Sequence, residues 1–207
     1  MLLDLQALPA ADVYRFMISA VVPRPIAWVS TRAADGTANL APFSYFTALS
    51  SAPPLVGFAV VDREGDPKDT LRNVRETGEW VINVVDEPRL PAMAVTAGEW
   101  PRGTSEFTEA GLTPAPAERV RAPRVAESPL QLECRLHREV RLGNCTFVVG
   151  EVLVARVDDA VLTDGRVDPA KLRAVGRLGG ENYAPLREIA KVPRARVSRA
   201  TGERVGG

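Results

Sequence analysis

Two adjoining runs in the later part of the chain dictate most of what it can fold into. Leu130, Leu132, Cys134 and Leu136 alternate with Gln131, Glu133, Arg135 and His137. A period of two is that of a strand, so the run predicts one buried and one wetted face. Gly143-Asn144 then supplies a turn signal, and residues 146–157 are apolar on both faces apart from Glu151. Together they predict an antiparallel hairpin whose second strand is covered on both sides. A chain of 207 residues is one domain with decorations. In so small a β protein, a two-sided apolar strand points to a partner on its outer face, most simply a second copy.

The rest of the chain is written in short pieces broken by proline and glycine. Residues 9–20 read as a helix, with Pro9 in the first turn and Val13, Phe16, Met17 and Ala20 at helical spacing. Pro23-Arg24-Pro25 stops it. Residues 26–31 form a strand, Ala34-Asp35-Gly36 a turn, and residues 39–50 an aromatic, small-residue-rich strand. Pro53-Pro54 breaks that run, and residues 55–61 are a third strand. Asp66 is placed to cap a helix that Pro67 opens, Leu71 and Val74 bury and Gly78 ends. A strand over 79–85, a short helix over 88–96 and an excursion over 98–116 with a small helix near 105–110 follow. Residues 168–175 make a brief helical turn. Short strands, hairpin turns and few long helices predict a mostly β, closed or partly closed barrel with small peripheral helices. Residues 1–190 form this domain; residues 191–207, with five Lys and Arg against Glu203, read as a frayed basic tail.

Several chemistries lack their residues. Lys plus Arg and Asp plus Glu both number 26, so no broad basic field exists for nucleic acid or a membrane surface. No run approaches a membrane span, and Met1-Leu2-Leu3-Asp4-Leu5 does not open a signal peptide. Cys134 and Cys145 flank the hairpin turn, out of register with each other, and are expected to be reduced core thiols of a cytoplasmic protein. The one histidine, His137, falls on the polar face of its strand, which favours a solvated role over a catalytic one. One His and two separated Cys cannot make a familiar zinc set. No phosphate-binding P-loop or nucleophile elbow is present, and Gly176-Arg177-Leu178-Gly179-Gly180 lacks the strand-to-helix setting of a dinucleotide fingerprint. Glu106 and Glu109, like Asp158 and Asp159, are expected to be solvated charges. With so few catalytic side chains, an enzyme of this sequence would lean on a cofactor.

Three segments go beyond what a core needs. Arg24 lies between two prolines on a stiff, extended stretch, where a fixed guanidinium suits an anion or a ring edge. In residues 39–47, Pro42 removes a ladder donor and marks an edge or bend. Ser44 there offers a hydroxyl beside Phe43, Tyr45 and Phe46, a setting for a heteroaromatic ring. Lys68 and Thr70 sit at a predicted helix start, where a phosphate docks well.

On these residues the chain resembles the flavin-reductase-like, FMN-binding split-barrel proteins. The similar runs are Pro23–Thr31 in the form Pro-Arg-Pro-Ile-Ala-Trp-Val-Ser-Thr, Asn39–Phe46 in the form Asn-Leu-Ala-Pro-Phe-Ser-Tyr-Phe, and Lys68-Asp69-Thr70 with Asn73. Further matches are Gly78-Glu79-Trp80, Glu106-Phe107, Ser128-Pro129, Gly150-Glu151-Val152 and the Gly176–Gly180 run with Tyr183. The resemblance implies a Greek-key split barrel working as a homodimer, with FMN near the dimer interface. It implies cofactor contacts from Arg24, Thr31, Asn39, Pro42, Phe43, Ser44, Tyr45, Phe46, Ser50, Lys68, Thr70 and Asn73. Arg177 and Tyr183 would face the substrate, NADH or NADPH. Hydride would pass to the flavin, and reduced flavin would supply a partner monooxygenase; an FMN-bound electron carrier or storage protein is the alternative.

Overall fold

The computed structural model describes residues 1–62 and 67–195. Seven antiparallel strands carry the fold: β1 (Ala27–Arg32), β2 (Ala38–Phe43), β3 (Phe46–Ser51), β4 (Pro54–Val61), β5 (Glu79–Asn83), β6 (Leu130–Leu142) and β7 (Cys145–Val157). Their spatial order is β2-β1-β5-β6-β7-β4-β3. The two outermost strands, β2 and β3, are therefore consecutive in the chain, joined only by Ser44 and Tyr45. A sheet whose edges are tied by two residues has to curl until those edges meet. This is the split β-barrel, with its seam at the Ser44–Tyr45 corner.

The expected hairpin is there. β6 and β7 pair from Leu142↔Cys145 to Leu130↔Val157, with a register shift next to Gly150. Gly143 takes φ +54° at the turn, a conformation that favours glycine. Cys145 faces Leu142 and is half-buried, whereas Cys134 is fully buried in the core, so only one of the two thiols is a core residue. His137 is exposed.

The polar side of β6 departs from expectation. Arg135 and His137 are exposed, but Gln131 and Glu133 are buried, Glu133 at 1% exposure. The segment before β6 folds over this face. Glu133 accepts the backbone N–H groups of Glu118 (2.8 Å) and Arg119 (2.6 Å), and Gln131 donates to the carbonyls of Val125 and Ser128. Alternation located the face correctly; buried hydrogen bonds, not water, satisfy it.

β1 is buried on both sides. Ala27 and Val29 join Phe43, Phe58, Trp80, Ile82 and Val148 inside the barrel, together with Leu71 and Val74 from helix α2 (Asp69–Thr77). Ile26 and Trp28 face a second cluster with Leu40, Met93, Phe107 and Val175. That cluster is roofed by α3 (Leu90–Thr96) and α4 (Glu106–Glu109). Helix α2 ends at Gly78 in the left-handed conformation, as its sequence dictates. It starts at Asp69 with Lys68 as N-cap, two residues after Pro67; Asp66 lies outside the described residues. So does the tail beyond residue 195.

Helix α1 (Ala10–Ala20) forms where expected but buries no residue. Tyr14, Phe16 and Met17 are 56%, 39% and 39% exposed. A short sheet of Arg24–Pro25, Val175–Arg177 and Tyr183–Pro185 ties the start of the barrel to the end of the chain. Among the described residues no helix is long and apolar enough to cross a membrane.

Gly150 sits at the register shift with its Cα against the indole of Trp80, and a Cβ there would collide with the ring. Gly150→Ala is expected to cost about 1–3 kcal/mol, the range for overpacking a filled core. Urea denaturation measures it as a lower midpoint at unchanged m-value.

Candidate functional site at the barrel seam

A concave feature lies at the Ser44–Tyr45 corner. It is a groove of about 360 Å³, within the usual range for small-molecule sites. Several stretches of chain meet there. The corner supplies Pro42, Phe43, Ser44 and Tyr45; α1 supplies Tyr14 and Ile18; α3 and its end supply Met93 and Ala97; the small sheet supplies Arg24, Arg177 and Tyr183. Lys68 enters from the start of α2. Trp28 Nε1 donates to Thr96 Oγ1 at 2.8 Å and so holds the end of α3 in place.

Three cations line this groove, and each lies over an aromatic ring. Lys68 Nζ is 5.8 Å from the Phe43 centroid, the Arg24 guanidinium 5.9 Å from Tyr45, and that of Arg177 4.5 Å from Tyr183. No carboxylate is among the described lining residues. Burial raises the Tyr45 phenol pKa, and Arg24 opposes that rise. The groove thus offers apolar walls, ring faces and positive charge.

A smaller pocket of about 110 Å³ adjoins it at the start of α2. The two share Pro42, Phe43, Lys68 and Ala97; the smaller adds Asn39, Asp69, Thr70 and Glu106 among others. Behind it runs a buried polar network. Glu106 accepts from Asn39 Nδ2 at 2.7 Å and from the Leu40 N–H at 2.9 Å. Asn39 Oδ1 accepts from Thr70 Oγ1 at 2.9 Å and Thr31 Oγ1 at 3.3 Å, and Asn73 Nδ2 donates to Thr31 Oγ1 at 2.9 Å. The carboxylate fixes the sense of the whole chain of bonds. It takes protons from the amide nitrogen, so the amide oxygen takes them from the hydroxyls. The Thr70 hydroxyl proton is thereby committed inward, and toward the pocket Thr70 Oγ1 presents lone pairs.

Of the residues singled out from sequence, the groove unites Arg24, Pro42, Phe43, Ser44, Tyr45, Lys68, Arg177 and Tyr183. Asn39 and Thr70 line the adjoining pocket. Thr31 and Asn73 connect to it only through hydrogen bonds. Phe46 packs on the barrel core, and Ser50 is exposed on β3, where its Oγ accepts from Ala52 N. The structure brings neither to the groove. Arg24 also differs from expectation, because its donors are engaged within the protein: Nη1 with the carbonyls of Ile18 (2.6 Å) and Val21 (2.7 Å), Nη2 with that of Leu178 (3.0 Å).

Glu106 overturns its expected place among solvated charges. It is 7% exposed, and burial raises its pKa, with the Leu40 N–H and Asn39 amide opposing. The signal in sequence was Phe107 beside it: a fully buried aromatic draws its helix onto the barrel. Tyr14, Ile18 and Met93 also went unmarked, since nothing local shows which helix reaches the seam.

Glu106→Gln is expected to destabilise the fold by ~1–3 kcal/mol, because an NH₂ would face the N–H of Asn39 or Leu40. The folded carboxyl binds its proton more tightly than the unfolded one. The stability due to Glu106 is therefore greatest below the ordinary glutamate pKa and declines as pH rises through the raised folded value. Denaturation midpoints across that window should show this slope in the wild type and its loss in the variant.

Comparison with known proteins agrees with this architecture. Residues 18–171 match the model of the flavin reductase like domain. A protein of Halalkalibacterium halodurans is 39% identical over 205 residues, covering 96% of this chain and 98% of that one. The structure of nitrilotriacetate monooxygenase component B from Bacillus cereus superposes with a TM-score of 0.90 at 33% identity, covering 93% and 98% of the two chains. That of Pseudomonas fluorescens 2-nitrobenzoate 2-nitroreductase superposes with a TM-score of 0.86 at 28% identity, covering 96% and 100%. With the split barrel, the seam groove and a family model spanning most of its length, this chain belongs to the flavin reductase like domain family.

Proposed function

We propose that this protein is an FMN-dependent oxidoreductase that draws electrons from NADH or NADPH. The observation that carries the reading is the meeting of Lys68, Arg24 and Arg177 in one ring-walled groove, with no carboxylate among its described lining residues, that continues into a pocket at a helix start. Family membership and the names of the similar structures support it.

The groove suits a flat heteroaromatic ring and a phosphate at once. Phe43, Ile26 and Met93 provide apolar contact for the ring. Lys68 provides a point charge for the phosphate, beside first-turn amides of α2 that have no intrahelical acceptor. The committed Thr70 hydroxyl leaves the phosphate to Lys68 and those amides. The chemistry FMN supplies when bound is two-electron acceptance from a reduced nicotinamide. The chain's own part is to hold the ring against Phe43, to place Arg24 and Ser44 where negative charge grows on reduction, and to keep the seam shielded from water. Arg177 and Tyr183, stacked at the outer rim, are the residues to meet the nicotinamide.

The same reading includes a homodimer. α1 leaves Tyr14, Phe16 and Met17 uncovered, and Leu49, Val61, Val140 and Leu142 are exposed on strands β3, β4 and β6. A second copy would cover such faces. The likeness to a monooxygenase component B supports delivery of reduced flavin to a partner monooxygenase.

Stopped-flow mixing of the FMN-loaded protein with NADH or NADPH tests the reductase reading through bleaching of the flavin band. Reduction within seconds by either nucleotide is expected; none by either would leave flavin binding alone. Lys68→Ala should weaken FMN binding about 10- to 100-fold, the loss of a charged hydrogen bond, and leave riboflavin, which lacks the phosphate, nearly unaffected. Fluorescence titration with both flavins reads the difference.

A further inference from the structure

Arg24 is 6% exposed, yet among the described residues it pairs with no carboxylate. Buried cations are ordinarily neutralised by a counter-ion. Here three carbonyls take that place, those of Ile18 and Val21 at the C-terminal end of α1 and that of Leu178. The helix end adds its partial negative charge. Carbonyl dipoles hold the guanidinium without cancelling its net charge.

The fourth bond runs from Arg24 Nε to Ser44 Oγ at 3.3 Å. A serine hydroxyl has one proton and two lone pairs. With Nε–H donating into one lone pair, the Ser44 proton turns away from Arg24. No described residue accepts it, and Ser44 lines the groove. The other titratable side chains among the described lining residues are Lys68, Arg177, Tyr14, Tyr45 and Tyr183, so none of these is a carboxylate that captures the proton.

We propose that Arg24 is a positioning residue that turns the Ser44 hydroxyl proton toward the groove and sets a positive potential around its oxygen. The ligand atom that meets this proton is then an acceptor, a ring nitrogen or carbonyl oxygen, and is bound more tightly as it gains negative charge. The same guanidinium fixes two walls of the site, α1 with Tyr14 and Ile18 and the turn that carries Arg177 and Gly180. Gly179 permits this closeness, since a Cβ there would lie 2.8 Å from Ser19 Oγ of α1. Lysine cannot substitute, because its compact head cannot serve three carbonyls and a hydroxyl in a planar fork. The identification of the ligand as flavin rests on the function proposed above; the Arg24–Ser44 relation does not.

The experiment separates the two. Ser44→Cys is made with Cys145→Ala, leaving Cys134 buried, and the pH profile of iodoacetamide alkylation gives the pKa of the introduced thiol. A thiol beside an uncancelled guanidinium is expected to titrate about a unit or more below the ~8.5 of free cysteine. A value at or above the free one overturns the proposal, whether or not any flavin binds. Riboflavin affinity is then measured for Ser44→Ala, Arg24→Lys and the double variant. Each single change is expected to weaken binding about tenfold or more, and the double by less than the product of the two losses, as for groups that share one contact. Independent, multiplying losses overturn the proposal. If Arg24→Lys fails to fold, the thiol titration, with Arg24 intact, decides alone. A wild type that binds no flavin overturns the functional reading, and the thiol result still stands.

Discussion

The closure of the sheet is the constraint on which the rest depends. Because β2 and β3 are at once neighbours in sequence and the two edges of the sheet, their junction cannot be covered by another strand. Edge backbone and edge side chains are left facing one another across the seam. A barrel closed without a split would bury this corner in ladder hydrogen bonds. Here Pro42 withholds a donor, Ser44 and Tyr45 turn outward, and the gap is lined from several directions.

Buried polarity holds the seam open in a fixed shape. On one side Glu106, brought over β2 by α4, orders Asn39, Thr70, Thr31 and Asn73 into a single directional network. On the other, Arg24 gathers α1, the Leu178 turn and Ser44. Each network consists of groups that would be costly if left unpaired. Their satisfaction fixes which hydrogen atoms point inward and which toward a ligand. Apolar packing from Phe43, Phe58 and Trp80 gives the barrel its bulk, and these polar groups give the groove its chemistry.

The β character, the hairpin, the C-terminal stop of α2 and six of the groove residues were legible in the chain, because each depends on neighbours within a few positions, whereas Arg177 and Tyr183 followed only from the family resemblance. Gly143-Asn144 makes a turn wherever it is placed, and Pro42 disrupts a ladder in any sheet. What sequence could not convey was what covers what. Glu133 and Gln131 look wet because the loop that buries them lies earlier in the chain and has no periodicity. Glu106 looks solvated for the same reason, its partner Asn39 being 67 residues away. Arg24 looks available to an anion because its three carbonyl partners, two on a helix end and one beyond residue 170, are backbone atoms that every residue possesses.

Helix α1 carries a consequence of its own. It supplies Tyr14 and Ile18 to the groove but buries no side chain of its own in the barrel. Its attachment by Arg24 adds no apolar area. One wall of the site is thus thermodynamically looser than the barrel floor, and its order depends on whatever comes to lie against its bare face. By mass action, any molecule covering that face firms the wall, and any ligand gripping the wall favours the cover. Were the cover a second copy of the chain, the affinity of the groove would depend on the concentration of the protein itself.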